Sequence, residues 1–442
     1  MASFGGLWRA APAAPGWLFR LMSMKVLLTG QSGFIGSRLR DELLSRGHEV
    51  APSRIDFRMA GHADFWVPHL VGVDVVINAA GIFRERRQND FDLINLAAPC
   101  ALFRACAKAK VGLIIQFSAL GADEGARSRF HLGKRAADEC LRSVPVPSFS
   151  LQPSLVYGPG GASAHLLNLL ASLPLIPLPG GGLQRVQPIH VDDVVSAVVA
   201  LVEAPAVRSA TTIALVGPTA VTVRDYLAVL RQGLGLAQAR FIRIPMSMVR
   251  LVARAAARLS SAPLDPEAVE MLNRGNVADV TLTRDALGRS PRGPHAFVSP
   301  SQAVGLRTAA TLGWLLPILR AAMAGMWIWT GIVSLLFYPV TDSYDMLIAT
   351  GVPGALVPLA LVAAAGLDLA FGALTVLLRH RRLLWQAQIL LILTYTVVIV
   401  IRLPEYLFHP FGPIVKNLPI LAILWMLLEL EPKQRRHRPW NT

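Results

Sequence analysis

After residue 310 the chain carries about four apolar stretches long enough to cross a bilayer, near residues 314–337, 353–377, 383–402 and 412–430. A helix of roughly 20 apolar residues matches the hydrocarbon core. Lipid offers no partner to an exposed N–H or C=O, so such stretches can only be helical. This predicts an all-α, four-helix transmembrane domain over residues 311–431. The chain is 53% hydrophobic and 16% charged, and the apolar weight lies mostly in this part. At 442 residues there is room for a soluble domain ahead of it.

The formal net charge of +15 raises nucleic acid as a partner. The arginines are spread over many segments, however, and the densest groups, "RHRRL" and "KQRRHR", flank apolar runs. Basic residues in such places set topology and meet anionic headgroups, and no recognition motif accompanies the charge. Bilayer lipid, not nucleic acid, is the expected partner. The first loop between spans carries Asp342 and Asp345, and the second carries Arg379, Arg381 and Arg382. The tail (432–442) carries Lys433, Arg435, Arg436 and Arg438. The positive-inside rule places the second loop, the tail and the amino-terminal domain in the cytosol. The expectation is a multi-pass protein of the cytoplasmic (inner) membrane with an even number of spans.

Polar residues within spans are costly and often functional. Arg320, Asp368, Gln386, Gln388, Arg402, Lys416 and Asn417 are the candidates. Asp368 needs a partner or a proton, and Arg320 or Lys416 is the expected partner. Arg402 and Lys416 can alternatively snorkel to the interface. Three cysteines, Cys100, Cys106 and Cys140, form no C-x-x-C pair and suggest neither a disulfide framework nor zinc. Ten histidines show no metal-binding spacing, so no metal is expected. Residues 1–23 have no unbroken apolar core, which argues against a cleaved signal peptide. The reading here is a start at Met22 or Met24; the alternative is an interfacial segment using Trp8, Trp17 and Phe19.

Residues 24–290 follow a different rhythm. "KVLLTGQSGFIGSRLRDELLSRGHEV" reads strand, glycine turn, helix, strand. Gly30, Gly33 and Gly36 recur every three residues, and helical periodicity begins at Phe34. A turn this tight lets backbone N–H groups reach a pyrophosphate at the helix N-terminus. Strands then follow at 73–81, 111–120 and 148–160, with helices at 89–109 and 126–142. The alternation implies a Rossmann-type, doubly wound parallel α/β sheet with its site at the strand carboxyl ends.

Thr29 to Gly36 (T-G-x-x-G-x-x-G), Asn78-Ala79-Ala80-Gly81, and Ser118 ahead of Phe130-x-x-x-Lys134 together resemble the short-chain dehydrogenase/reductase superfamily. "QPSLVYGPGG" and "VQPIHVDDVVSAV" resemble its extended and atypical branches, which include sugar-nucleotide epimerases and dehydratases. The same branches include an NADPH-binding accessory subunit of respiratory complex I. "WIWTGIVSL", "GLDLAFG" and "HPFGPIVKNLPIL" resemble the DoxX-like membrane family, found fused to atypical short-chain reductases in bacteria. The resemblance implies NAD(P) binding by Thr29, Gly30, Ser32, Gly33, Phe34, Ile35, Gly36, Asn78 to Gly81, Lys134, Pro153 and Ser154. Ser53 and Arg54 stand where an NAD-preferring site places a carboxylate, which favours NADP(H) while admitting NAD(H). Asp56 and Phe57 are expected near the adenine, as in relatives.

In that superfamily a tyrosine moves the substrate proton, lysine lowers its pKa and holds the nicotinamide ribose, and serine orients the substrate oxygen. Here Phe130 occupies the tyrosine position, so that proton route is missing while Ser118 and Lys134 remain. His131, adjacent but turned about 100° around the helix, and Tyr157 are weaker donor candidates. A shifted helix would bring Ser128 into play. Residues from about 159 supply the substrate side, where Asp192 and Asp193 read as first-turn acids and 243–259 as a basic amphipathic helix that could lie against a membrane. Residues 291–310 read as a linker. The function expected is a membrane-anchored oxidoreductase or epimerase/dehydratase-like protein with a lipid-soluble or quinone-type substrate. The alternative is a catalytically silent NAD(P)H-binding subunit of a membrane complex or homo-oligomer.

Overall fold

The computed structural model describes residues 23–51, 55, 57, 59–83, 90–204, 210–256, 266–408, 410 and 412–431. The candidate start at Met22, the cofactor-loop residues Ser53, Arg54 and Asp56, and the basic tail lie outside them. The chain divides into two units, residues 1–310 and 311–442.

In the first unit, the apolar run Lys25–Thr29 (β1) enters a six-stranded sheet with Glu49–Val50 (β2), Val75–Asn78 (β3), Leu113–Phe117 (β4), Ser148–Pro153 (β5) and Thr211–Leu215 (β6). The order is β6-β5-β4-β3-β1-β2, and every pairing is parallel. Alternate side chains take opposite faces of each strand. Val26 and Leu28 therefore pack on one side with Leu39 and Leu43 of Phe34–Ser45 (α1) and with Val194 and Val198. Leu27, Val76 and Ile114 face the other side, against Leu102, Phe103 and Leu141. Both faces are covered, as a parallel sheet requires. The helices of the second face are Ala98–Ala109 (α2) and Arg129–Arg142 (α3). The strand order reverses between β1 and β3, which puts the crevice for a ligand beyond their carboxyl ends.

Val191–Glu203 (α5) and Thr281–Leu287 (α9) pack with α1 on the first face of the sheet, while Ala162–Ser172 (α4), Val223–Gly233 (α6), Met246–Ala256 (α7) and Pro266–Arg274 (α8) form the substrate side. Its core includes Tyr157, Ile176, Tyr226 and Phe297. The last of these corrects the linker reading of 291–310. Phe297 is 2% exposed and stacks on Tyr157 at 5.2 Å. Asp193, fully buried in the first turn of α5, accepts from Arg289 at 2.6 Å and from the Arg292 backbone at 2.8 Å, while Arg292 also bonds Asp192 at 2.9 Å. A buried carboxylate needs cations and N–H groups around it, and this one draws them from the glycine- and proline-rich segment. A helix, Pro300–Ile332 (α10), then begins inside the expected linker.

The second unit contains Val340–Ala349 (α11), Val357–Leu377 (α12), Arg382–Arg402 (α13) and Asn417–Leu430 (α14). Among the described residues three helices are long and apolar enough to cross a membrane: Pro300–Phe337, Gly354–Leu377 and Arg382–Arg402. The expected fourth span is shorter, because helix α14 starts only at Asn417, with Pro419 in its first turn where a missing N–H is tolerated. Its 14 residues reach about 21 Å, against a hydrocarbon core of about 30 Å. Among the described residues the full-length spans are thus three, with this shorter apolar helix as the fourth. Within this unit Gly372 lets α12 approach α10, since a Cβ there would meet Ile328 Cγ1 at 2.5 Å. Arg320 pairs with Glu431 at 3.2 Å, not with Asp368, whose Oδ1 is buried without a hydrogen-bond partner. Gln388 donates to Thr375 at 3.1 Å, and Asn417 to Thr396 at 2.8 Å.

Candidate active site

The glycine turn joins the end of β1 to α1. Gly30 has φ +74°, and a Cβ there would lie 2.7 Å from the Ala79 carbonyl. A Cβ on Gly36 would lie 2.1 Å from the Gly30 carbonyl oxygen, so both positions admit only hydrogen. Gly33 is the N-cap of α1, whose first turn carries no acid, leaving the positive end of the helix free for an anion. Ser32 and Gly33 are exposed on the turn. Phe34 is drawn away from it: Arg38 lies over its ring at 4.6 Å, and the close approach of Gly158 and Gly161 seats the ring against the "YGPGG" loop.

Across the strand ends, Thr29 donates to Asn78 at 2.5 Å and Asn78 to Gln116 at 2.6 Å. This buried ladder ties β1, β3 and β4 together at the crevice. Lys134 reaches it from α3 and is 3% exposed. Its ammonium donates to the Phe117 carbonyl at 2.9 Å and the Ala80 carbonyl at 3.4 Å, and a Cβ on Gly81 would come within 2.9 Å of Nζ. Burial brings the Lys134 pKa down to about 8, opposed by the nearby Asp138 carboxylate. Asn95, on a π-helical turn (Leu93–Ala97) before α2, both accepts from and donates to the Ile82 backbone, at 3.2 and 2.8 Å. Such turns recur at functional sites, yet no motif in the sequence marks this one.

Ser118 and Lys134 stay close to one another, but the serine hydroxyl is committed. It donates to Asp138 at 2.5 Å, and both groups are buried. Burial raises the Asp138 pKa, opposed by the hydrogen bond from Ser118 and the Lys134 ammonium. Asp138 escaped notice in the sequence, although it stands one turn after Lys134 on the same face. Phe130 packs against Phe83 with ring centroids 5.1 Å apart, and Lys134 Nζ lies 6.0 Å from its centroid. An aromatic wall replaces the tyrosine.

The other donor candidates separate clearly. Tyr157 is buried in the substrate-side core and donates to Asn168 at 3.0 Å, which corrects its reading as a candidate catalyst. Ser154 donates to the Gln187 carbonyl at 2.6 Å, and the Pro153 carbonyl accepts from Leu120 N at 3.1 Å, so both knit loops together. Phe57 packs edge-on against Trp66, 6.4 Å away. Ser128 caps α3 by accepting from His131 N at 3.2 Å, and the helix is not shifted to present it as a catalyst. His131 is 4% exposed and leaves Nε2 buried without a partner. Burial lowers its pKa, and Arg274 adds to the effect.

His131 and Ser128 also line a cavity of about 650 Å3 between α3 and helices α7 and α8. Arg127, Arg250, Arg254 and Arg274 line it too, with Glu270. Sequence reading missed this cluster, because its members come from three separate segments. Among the described residues no group of three His, Cys, Asp or Glu side chains could hold a metal. The three cysteines are free thiols.

Residues 26–217 match the NAD dependent epimerase/dehydratase family, and residues 324–425 match the DoxX-like family. A ceramide reductase of Caulobacter vibrioides is 29% identical over 196 residues, covering 41% of this chain and 61% of that one. An Arabidopsis thaliana protein, mitochondrial NADH dehydrogenase [ubiquinone] 1 alpha subcomplex subunit 9, is 26% identical over 254 residues, covering 51% and 61%. The chain thus spans about 61% of the length of each relative. Among solved structures, MoeE5 in complex with UDP-glucuronic acid and NAD aligns with 20% identity and a TM-score of 0.47, covering 66% of this chain and 99% of that one. RMD from Pseudomonas aeruginosa complexed with NADPH aligns with 16% identity and a TM-score of 0.48, covering 65% and 99%.

Proposed function

We propose, from a chain that joins an NAD-dependent epimerase/dehydratase domain over residues 26–217 to a DoxX-like domain over residues 324–425, that the protein is a membrane-anchored NAD(P)(H)-dependent oxidoreductase acting on a lipid-soluble substrate. The glycine cradle carries this reading, since Gly30 and Gly36 occupy places that any Cβ would close. The free N-terminus of α1, with Asn78, Gly81 and Lys134 beside it, would hold the dinucleotide, and Ser53 with Arg54 favours NADP(H). When bound, the nicotinamide supplies hydride-transfer chemistry; the protein's own task is then the proton. Phe130 has none to give. His131 can take one up at a buried and unpartnered Nε2 in the cavity wall and pass it on. Burial and Arg274 make that nitrogen release a proton more readily than an ordinary imidazole. The apolar helices of the second unit favour a lipid-soluble substrate, and so does the relative named as a ceramide reductase.

A second reading is a silent NAD(P)H-binding subunit of a membrane complex. Phe130 favours it, as does the commitment of the Ser118 hydroxyl to Asp138. The relative named as an NADH dehydrogenase subunit is in keeping with it. The deciding experiment incubates the detergent-purified chain with 4-deuterated NADPH or NADH and a panel of long-chain ketones and aldehydes, and follows quinones by oxidation of the dinucleotide. Deuterium in a reduced product is expected, with His131→Gln lowering the rate about 100-fold while dinucleotide binding persists. Stoichiometric binding with neither deuterium transfer nor quinone-dependent oxidation of the dinucleotide selects the silent subunit. Binding of neither dinucleotide overturns both.

A further inference from the structure

The cavity beside His131 has more positive charge than the fold consumes. Arg274 is engaged, donating to the Gly121 carbonyl at 2.7 Å and ion-paired with Asp123. Among the described residues no carboxylate pairs with Arg127, Arg250 or Arg254. Arg250 and Arg254 stand one turn apart on α7, a like-charge spacing that costs an isolated helix a few tenths of a kcal/mol. Glu270 is the one carboxylate of the described wall. Among the described residues, three guanidinium groups without a carboxylate partner thus gather around a concave space, where planar, forked donors suit the oxygens of a phosphate or carboxylate.

The helix that supplies two of these arginines is apolar on its outer side. Met248, Leu251 and Val252 are 53%, 66% and 56% exposed, while Ala253 alone among its described neighbours is fully buried. At 100° per residue the three exposed apolar side chains form one outer row, flanked by the arginine face that turns into the cavity. A basic edge beside an apolar outer row is the pattern of a group that meets an anionic amphiphile: charge at one end, hydrocarbon at the other.

We propose that this cavity seats the anionic headgroup of an amphiphilic lipid, phosphate- or carboxylate-bearing, whose hydrocarbon part lies along Met248, Leu251 and Val252 of α7. The inference rests on the oxidoreductase reading for the consequence that this lipid is the substrate class, because Ser128 and His131 of the cofactor-side helix form part of the same wall. Arg250 and Arg254 then bind the headgroup and select for its charge, and His131 stands at the cofactor-side edge of the bound molecule.

The test uses the full chain in detergent, with dioctanoyl phosphatidic acid, dioctanoyl phosphatidylcholine and inorganic phosphate as probes, read by native mass spectrometry; NADPH binding is measured on the same samples. Wild-type protein is expected to retain phosphatidic acid at least about tenfold better than phosphatidylcholine. Arg250→Gln with Arg254→Gln is expected to lose about tenfold or more of that binding, since each charge-assisted contact carries roughly that factor. Met248→Ser with Leu251→Ser and Val252→Ser is expected to weaken phosphatidic acid but leave phosphate unchanged. Unaltered phosphatidic acid binding in the arginine variant overturns the site. Phosphate competing as well as the whole lipid, mole for mole, overturns the amphiphile. Lipid binding that follows the arginines in a protein that binds no dinucleotide keeps this site and rejects the oxidoreductase.

Discussion

Phe130 lies beside Lys134 with only its ring to offer, and the consequence at the scale of single residues is a division of labour. Lys134 keeps the strand ends and the cofactor side in place through the Ala80 and Phe117 carbonyls. Its pKa of about 8 lies below the ordinary 10.5, so the unfolded chain binds the extra proton between these values. Stability gained from a neutral Lys134 is therefore complete above about 10.5 and lost as pH falls through about 8. Lys134→Met is expected to remove a pH-dependent destabilisation on the order of 3 kcal/mol, seen as a flatter melting temperature between pH 8 and 10.5. Dinucleotide affinity should nonetheless fall in this variant, because the ammonium is lost from the crevice. Gly36→Ala is expected to prevent folding of the first unit or dinucleotide binding outright, since overpacking against the Gly30 carbonyl has no side chain to yield. Circular dichroism with NADPH titration separates those two outcomes.

At the scale of elements, α3 shows how one helix collects several tasks. Ser128 caps it, His131 opens toward the cavity, Lys134 enters the crevice and Asp138 holds Ser118. Ser128→Ala should cost about 1 kcal/mol and loosen His131 with it, measurable as a lower melting temperature. The segment after α9 is the counterpart case. Its glycines, prolines and serine read as a linker, but Arg289 and Arg292 clamp onto buried Asp193 and Phe297 enters the core. Asp193→Asn is expected to release it, so that trypsin cuts after Arg289 and Arg292 many times faster than in the wild type. Equal cutting rates in both proteins would mean that Phe297 alone holds the segment.

For the whole molecule, the charged loops carry the proposal of orientation. Arg379, Arg381 and Arg382 argue for the cytosolic side, and Asp342 and Asp345 for the other. Single cysteines placed at Asp342 and at Arg382, in a chain freed of its three natural cysteines, test it in intact cells with a membrane-impermeant maleimide. Labelling at position 342 alone is expected; labelling at 382 alone reverses the orientation. Dinucleotide binding in cell lysate but not to intact cells is the matching expectation for the first unit.

Some of this was decided by sequence alone. The glycine turn, the parallel α/β rhythm and the apolar spans each follow from constraints between near neighbours along the chain, such as a missing Cβ, a two- or 3.6-residue period, or a run of hydrocarbon. The membrane helices lost only the length of the fourth, where Lys416, Asn417 and Pro419 delay its start. What a polar side chain bonds to is a different kind of fact, because it depends on which elements pack together. Ser118 meeting Asp138, Tyr157 turned into the core against Phe297, and Arg320 paired with Glu431 were settled only by tertiary contacts. The arginine cavity belongs with them, since charges from residue 127, helix α7 and residue 274 become one site only after the chain has folded.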